Sequence, residues 1–321
     1  MEKKYIVGID LGGTKIAGAL SDKNGNILYM KTIETLAAEG SDNVMARIIW
    51  LINHVLSEHN ISKNDVIGIG IASPGPLNSE EGIIIETPNL PFKNFPLKSA
   101  VENATGIKTF IDNDANAAAL GEFLFGAGKG VENLIYITVS TGIGGGIIIN
   151  KKLYRGKTGN AGELGHMTVE PHGPRCNCGN YGCLEVMASG TAIARVAGER
   201  LQRFEKYYGE KSLLLSYENI SSKEVFECAS RGDKLALEVV DYTSNYLGIG
   251  IASFINIFDP EMIVIGGGVS KVGDMLFDRI RKIALERSFD VMSSTVKIVP
   301  ASLGSDAGLV GALAIISERL L

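Results

Sequence analysis

The chain opens on a pattern of apolar runs broken by glycine. YIVGID reads as a strand, Gly12-Gly13 turns it, KIAGALS returns, and Asn24-Gly25 makes a hairpin turn into NILYMK. Around residues 42–59 the period lengthens, and Val44, Ile48, Leu51, Ile52 and Val55 share one face of a predicted amphipathic helix. VIGIGIASPG is a buried strand closed by Pro74-Gly75-Pro76. TFIDND is another, and alanine-rich ANAAALGEFLFG opens a helix directly after it. LIYITVSTGIGGGIIINKKLYRG then repeats the opening shape: apolar strand, glycine turn, returning apolar strand. Such distant self-similarity predicts a duplicated domain rather than a solenoid, whose repeats are shorter.

The remainder is mostly helical. A helix pattern from about 233 to 257 stops at Asp259-Pro260, and the strand MIVIGGG follows. A helix from about 271 to 287 and a strand around 295–299 precede a closing helix from about 306 to 320. In that last helix Ala307, Gly308, Gly311 and Ala312 allow close packing. Strands alternating with helices make an α/β protein. At 321 residues two domains are expected, with no long linker, so a cleft between them is the natural ligand site.

Composition narrows this picture. Hydrophobic residues are 45% and charged residues 21%, an ordinary globular balance, and the net charge of −5 without a basic block argues against a nucleic-acid surface. Met1-Glu2-Lys3-Lys4 runs straight into a strand, so no signal peptide is expected. The uncharged run NLIYITVSTGIGGGIIIN is broken by glycines and reads as two strands, not a membrane span. A cytoplasmic, soluble protein is expected. The 39 glycines cluster in short knots, which points to tight turns or close approach of backbone to a ligand.

Three knots carry candidate chemistry. In Asp10-Leu11-Gly12-Gly13-Thr14-Lys15, glycine lets backbone N–H groups crowd an anion, and Thr14 and Lys15 add a hydroxyl and a charge. Asp10 at the strand end is placed to hold Mg²⁺ through water. Thr141-Gly142-Ile143-Gly144-Gly145 mirrors the first knot, and Gly266-Gly267-Gly268 follows a strand. One such knot is as well explained by a plain hairpin; three together fit a nucleotide, with neither a Walker A loop nor GxGxxG present.

Asp112, Asn113 and Asp114 stand between a strand and a helix. One of them can cap the helix, but three polar side chains exceed what a cap needs, so Asp114 is a candidate general base. Three of the four cysteines, Cys176, Cys178 and Cys183, lie close together after His166. Three thiolates and one imidazole suit a closed, structural zinc site, with His172 a rival fourth ligand on spacing. Cys228 reads as a core residue. Glu163 and Glu185 flank this cluster, and carboxylates there suit a polyhydroxylated ligand such as a sugar, although surface solvation is the commonest fate of glutamate.

Taken together, DLGGTK, SPGP, TPNLP, DNDANAA, TGIGGG, GNAGELGHM and CNCGNYGCLE resemble the ROK family, and within it the bacterial glucokinases. The resemblance spans nearly the whole chain and implies an actin-like ATPase (ribonuclease-H-like) duplicated fold of two domains around a central cleft. The expected division is 1–115 plus 304–321, with 116–303 forming the larger domain and its zinc-binding loop. The resemblance further implies that Asp114 takes the proton from the 6-hydroxyl of glucose as it attacks the γ-phosphate of ATP. Gly75, Asn89, Asn113, Asp114, Glu163, His166 and Glu185 would meet the sugar. Asp10, Gly12, Gly13, Thr14, Lys15, Thr141, Gly142, Gly144, Gly267 and Gly268 would meet ATP and Mg²⁺. It favours His166, with Cys176, Cys178 and Cys183, as the zinc ligands, one ring nitrogen facing sugar. A homodimer is implied, as is a role in glycolysis. Other hexoses (N-acetylmannosamine, fructose, allose) are alternative substrates. The family's sugar-responsive repressors are a weaker alternative, since the first strand starts at Tyr5 and leaves no expected room for a DNA-binding domain.

Overall fold

The computed structural model describes residues 3–87 and 89–320, the side chains of 205–208 excepted. Met1, Glu2 and Leu321 of the expected first domain, and Pro88 of the TPNLP motif, lie outside the described residues. The chain begins with strands β1 (Tyr5–Leu11), β2 (Lys15–Asp22) and β3 (Ile27–Glu34), helix α1 (Ser41–Ser57) and strand β4 (Val66–Ser73). Short strands β5 (Leu77–Asn78), β6 (Ile83–Glu86) and β7 (Lys93–Phe95) form a small antiparallel sheet. Then come α2 (Leu97–Thr105), β8 (Thr109–Asn113) and α3 (Asp114–Phe125). The second half starts with β9 (Leu134–Val139), β10 (Ile143–Ile149) and β11 (Lys152–Leu153). Four helices follow, α4 (Leu184–Ala188), α5 (Gly190–Tyr208), α6 (Ser222–Ser230) and α7 (Lys234–Phe258). The chain ends with β12 (Met262–Gly266), α8 (Asp274–Glu286), α9 (Asp290–Ser293), β13 (Lys297–Pro300) and α10 (Ala307–Leu320).

Two sheets share one strand order, β3-β2-β1-β4-β8 and β11-β10-β9-β12-β13. In the first, β1 runs antiparallel to β2 and parallel to β4, which is parallel to β8. In the second, β12 is parallel to both β9 and β13. The repeat read from two glycine turns is therefore a repeat of topology. This is the duplicated α/β arrangement expected of an actin-like ATPase fold.

The alternation of β1 explains how the first sheet is covered. Val7, Ile9 and Leu11 join Val44, Ile48, Leu51, Ile52 and Val55 of α1 in one core. Ile6 packs on the other face with Leu309, Leu313 and Ile316 of α10. Each of these side chains contributes roughly 1.5–3 kcal/mol by leaving water. Gly8 shares the α10 face, where a β-carbon would stand 2.9 Å from Leu313, so the helix lies close to the sheet. By the same period, Asp10 points towards α10.

Contacts divide the chain into a unit of Met1–Glu132, Gly146–Gly162 and Ser302–Leu321, and a second of Asn133–Gly145 and Glu163–Ala301. The first unit extends past the expected boundary at 115: it takes in α3 and residues 146–162, and it resumes at Ser302 rather than 304. The reason is packing by small residues. A β-carbon on Gly121 of α3 would stand 3.0 Å from Gly311 of α10, and one on Gly311 would collide with Ala117, so the two helices are held backbone to backbone. Helices α2, α5 and α6 and the small β5–β7 sheet are elements the periodicity did not single out.

Candidate active site

Parallel strands that end together bring their turns together. Register places Asp10 beside Ala72, Ala72 beside Asp112, and Ser73 beside Asn113. The DLGGTK, SPGP and DND segments thus leave one edge of the first sheet. The Gly12 amide donates to the Lys15 carbonyl at 3.0 Å, and the Thr35 hydroxyl donates to the Gly12 carbonyl at 2.6 Å, so the first knot is a tight, tethered turn. Thr14 is tied to Thr35 through its carbonyl. A β-carbon on Gly13 would stand 2.6 Å from Asn89, which brings the TPNLP loop against this turn. Gly75 lies beside Asn113, its β-carbon position 3.3 Å from the Asn113 Nδ2.

Asp10 is half-buried; burial raises its carboxyl pKa and the charge of Lys15 pulls it down. A β-carbon on Gly308 would stand 2.5 Å from this carboxylate, so glycine there makes room for it at the start of α10. An oxygen donor whose charge is penalised by burial fits a hard divalent cation, which would relieve that penalty.

The three polar residues of the DND junction divide their work. Asn113 is the N-cap of α3, its side-chain oxygen accepting from the Ala115 amide at 2.9 Å. Asp114, first residue of the helix, accepts from the same amide at 2.8 Å through Oδ1. Asp112 is fully buried. Its Oδ1 accepts from the Asn113 amide and from Asn116 Nδ2, both at 2.9 Å, and its Oδ2 accepts from Arg155 Nε at 2.7 Å. Arg155 was not foreseen, because nothing local in KLYRG marks a partner so far away in sequence.

In the second unit the turn after β9 is made by Ser140, Thr141 and Gly142, the Ser140 amide donating to the Gly142 carbonyl at 2.9 Å. Gly144 already lies on β10 instead of in the turn. Thr141 and Gly268 line a cavity of about 360 Å³ together with Thr191, Ile220 and Ser222, within the size range of small-ligand pockets. Thr191 donates its hydroxyl to the Thr141 carbonyl at 2.8 Å. Gly267 has a φ of +87°, and a side chain there would strike the Val139 carbonyl. The cavity meets the start of α5 and, at Ser221, the start of α6, which carries a complete capping box. Thr191 and Ser222 were missed, although Ser189-Gly190-Thr191 and Ser221-x-x-Glu224 are helix-start signals.

The cysteine loop, also in the second unit, closes as expected. His166, Cys176, Cys178 and Cys183 offer donor atoms that all lie within 4.8 Å of one another, a group that could hold a metal ion; His172 is not part of it. Cys176 Sγ is 3.7 Å from His166 Nδ1, and Cys178 Sγ is 3.6 Å from Cys183 Sγ. With metal–donor bonds of about 2.0–2.3 Å, tetrahedral zinc separates its ligands by roughly 3.5–3.8 Å. The donor set therefore fits zinc. Burial pushes the Cys183 thiol up to about 12, a charge penalty that a bound cation reverses. His166 turns Nε2 towards Glu163, 3.8 Å from Oε2. Glu185 accepts from the Ile143 amide at 2.9 Å, and a side chain on Gly142 would strike its carboxylate. Glu185 is thus packed against the glycine turn that follows β9. Cys228 is a buried core residue of α6.

A model of the family described as ROK family matches residues 6–319. A glucokinase of Thermotoga maritima is 39% identical over 321 residues, covering 100% of this chain and 99% of the relative. A xylose repressor of Caldicellulosiruptor bescii is 34% identical, covering 98% of this chain and 79% of the repressor. Among solved structures, a ROK family glucokinase from Streptomyces griseus in complex with glucose and AMPPNP has a TM-score of 0.78 at 35% identity, covering 97% of this chain and 98% of that one. Tight glycine turns, a carboxylate at a strand–helix junction and a His–Cys₃ loop, in a chain matched along its length, show that this protein belongs to the ROK family.

Proposed function

We propose that the protein transfers the γ-phosphoryl group of ATP to the 6-hydroxyl of glucose. The observation that carries this reading is Asp114, set at the first position of α3 on the sheet edge where the glycine turn ends, in a chain matched along its full length by a glucokinase. Asp114 accepts the 6-hydroxyl proton, and Asn113, Gly75, Asn89, Glu163, His166 and Glu185 orient the remaining hydroxyls. Phosphoryl transfer depends on positioning and on stabilising charge, which suits a site of this kind. The amides of Gly12 and Gly13, with Thr14 and Lys15, receive phosphate oxygens. Thr141 and the cavity it shares with Gly268 take the nucleoside, with Gly142 and Gly267 shaping its walls; Gly144, on a strand, shapes the turn from behind. Magnesium, which Asp10 would hold, supplies neutralisation of phosphate charge when bound. Zinc, which His166, Cys176, Cys178 and Cys183 would hold, would keep Glu163 and Glu185 in place when bound. A cytoplasmic homodimer is part of the same reading, and no helix among the described residues is long and apolar enough to cross a membrane.

The likeness to a xylose repressor favours a second reading, a sugar sensor without catalysis. A coupled ADP-release assay with ATP and Mg²⁺ separates the two across glucose, mannose, fructose, allose, N-acetylglucosamine and N-acetylmannosamine. Turnover led by glucose is expected. Turnover led by another sugar keeps the mechanism and replaces the substrate, whereas sugar binding with no turnover establishes the sensor.

A further inference from the structure

The buried partner of Asp112 has no place in the mechanism as described so far. Arg155 follows β11 and is 13% exposed, with Asp112 at 1% and Glu318 of α10 at 17%. Its Nε donates to Asp112 Oδ2 at 2.7 Å, while Nη1 and Nη2 donate to Glu318 Oε1 and Oε2, each at 3.0 Å. The guanidinium fork is therefore shared between a strand end and a helix, an arrangement that lysine does not reproduce. Burial works against its charge; Glu318 and Asp112 more than offset that, and Arg155 is held charged. Glu318 also lies 3.5 Å from Arg319 Nε, and Arg319 donates to Glu80 at 2.9 Å, so the cluster is anchored at both ends.

What this cluster holds is the backbone under the proposed base. Asp112 spends one oxygen on Arg155 and the other on the Asn113 amide and the Asn116 side chain. Those two donors bracket Asp114. The Arg155 carbonyl in addition accepts from the Ala161 amide at 3.1 Å, so the same residue closes the loop that leads to Glu163. We infer that Arg155 is a positioning residue for phosphoryl transfer: by clamping Asp112 against Glu318 it fixes the strand–helix junction that aims Asp114. The inference rests on the proposed kinase reading.

The test compares kcat and both KM values for wild type, Arg155→Met, Arg155→Lys, Asp114→Asn and Arg155→Met combined with Asp114→Asn, each well below its melting temperature. A misplacement of about 1 Å costs on the order of a hundred-fold, so Arg155→Met is expected to lower kcat by roughly 10- to 100-fold with the ATP KM within about two-fold. Arg155→Lys is expected to recover part of that loss. Once Asp114 has lost its carboxylate, removing Arg155 as well is expected to lower kcat by less than about two-fold, since residues acting as a unit are not additive. A merely structural role lowers both backgrounds alike and overturns the inference, as does Arg155→Met keeping kcat within two-fold of wild type. Should Arg155→Met fail to fold, Arg155→Lys decides: kcat within about two-fold of wild type overturns the inference, and a loss of several-fold at constant ATP KM sustains it. A wild type that phosphorylates no sugar overturns the proposed function instead.

Discussion

Residues 112–114 and residues 163–185 each present carboxylates, but their backbones are held by different contacts. The first segment is the end of a parallel strand, locked by register with β4 and by the capped start of α3. The second contains little regular structure before α4 begins at Leu184; two isolated β-bridges, Thr168 with Cys183 and Arg175 with Tyr181, tie it, and four side chains converge on one point within it. The strand end is held by its ladder and by the bonds of Asp112 to Asn116 and Arg155. The loop has backbone hydrogen bonds of its own, and a cation shared by its three sulfurs and the imidazole would add a tie among side chains, reversing the penalty that burial puts on the Cys183 thiolate.

That contrast sets the order of the expected effects. Asp114→Asn strikes the junction's chemistry and leaves its backbone intact: kcat should fall by roughly 10²–10⁴-fold while glucose affinity, read by calorimetry, and zinc content stay as in wild type. Activity within a few-fold of wild type would remove Asp114 from the role of base. Cys178→Ser strikes the loop's support instead. Bound zinc, counted by atomic emission, should drop, and kcat/KM for glucose should fall about 10- to 100-fold. Unchanged zinc would exclude Cys178 as a ligand. His172→Ala, beside the loop but outside its donor set, should leave both quantities at wild-type values.

Asp10 sharpens the comparison from the side of stability. Its folded-state pKa is raised by burial, so the native protein holds that proton more tightly than the unfolded chain does. Ionisation then costs stability as pH rises from the unfolded-state pKa through the folded one, and the cost is complete above it. Ligand-free Asp10→Asn should melt slightly higher than wild type at neutral pH, the gap narrowing towards the ordinary carboxylate range, while ATP turnover drops. Equal melting temperatures at neutral pH would mean that the Asp10 charge is not penalised there.

Much of this was legible in the letters. The apolar run YIVGID, bounded by a glycine turn, and period 3.6 in residues 42–59 predict β1 and α1 within a few residues, because a strand covered on both faces reads as a continuous apolar run and a helix covered on one face reads with its own period. The cysteine spacing predicted the three sulfur donors, since close spacing in sequence forces closeness in space, but it left His166 and His172 as rivals, and it was the resemblance that favoured His166. The glycine-308 and glycine-311 positions foretold tight packing of α10 but not its partner. Domain boundaries were harder: α3 starts like the second domain's first helix, yet its alanines and Gly121 lie on α10, nearly two hundred residues later.

The string of residues carries what is local or periodic: strand and helix phases, turn positions, the duplicated order of elements, and the identity of groups able to move protons or bind metal. Only folding decided that Asn113 caps α3 and that Asp112 pairs with Arg155, because the second of these depends on Arg155 and Glu318 arriving from distant segments. Likewise the cavity at Thr141 exists because α5 and α6 begin beside it. Local pattern follows from short-range sterics and one-sided burial; a partner across the sheet is chosen by which surfaces fit, and the letters alone do not contain that fit.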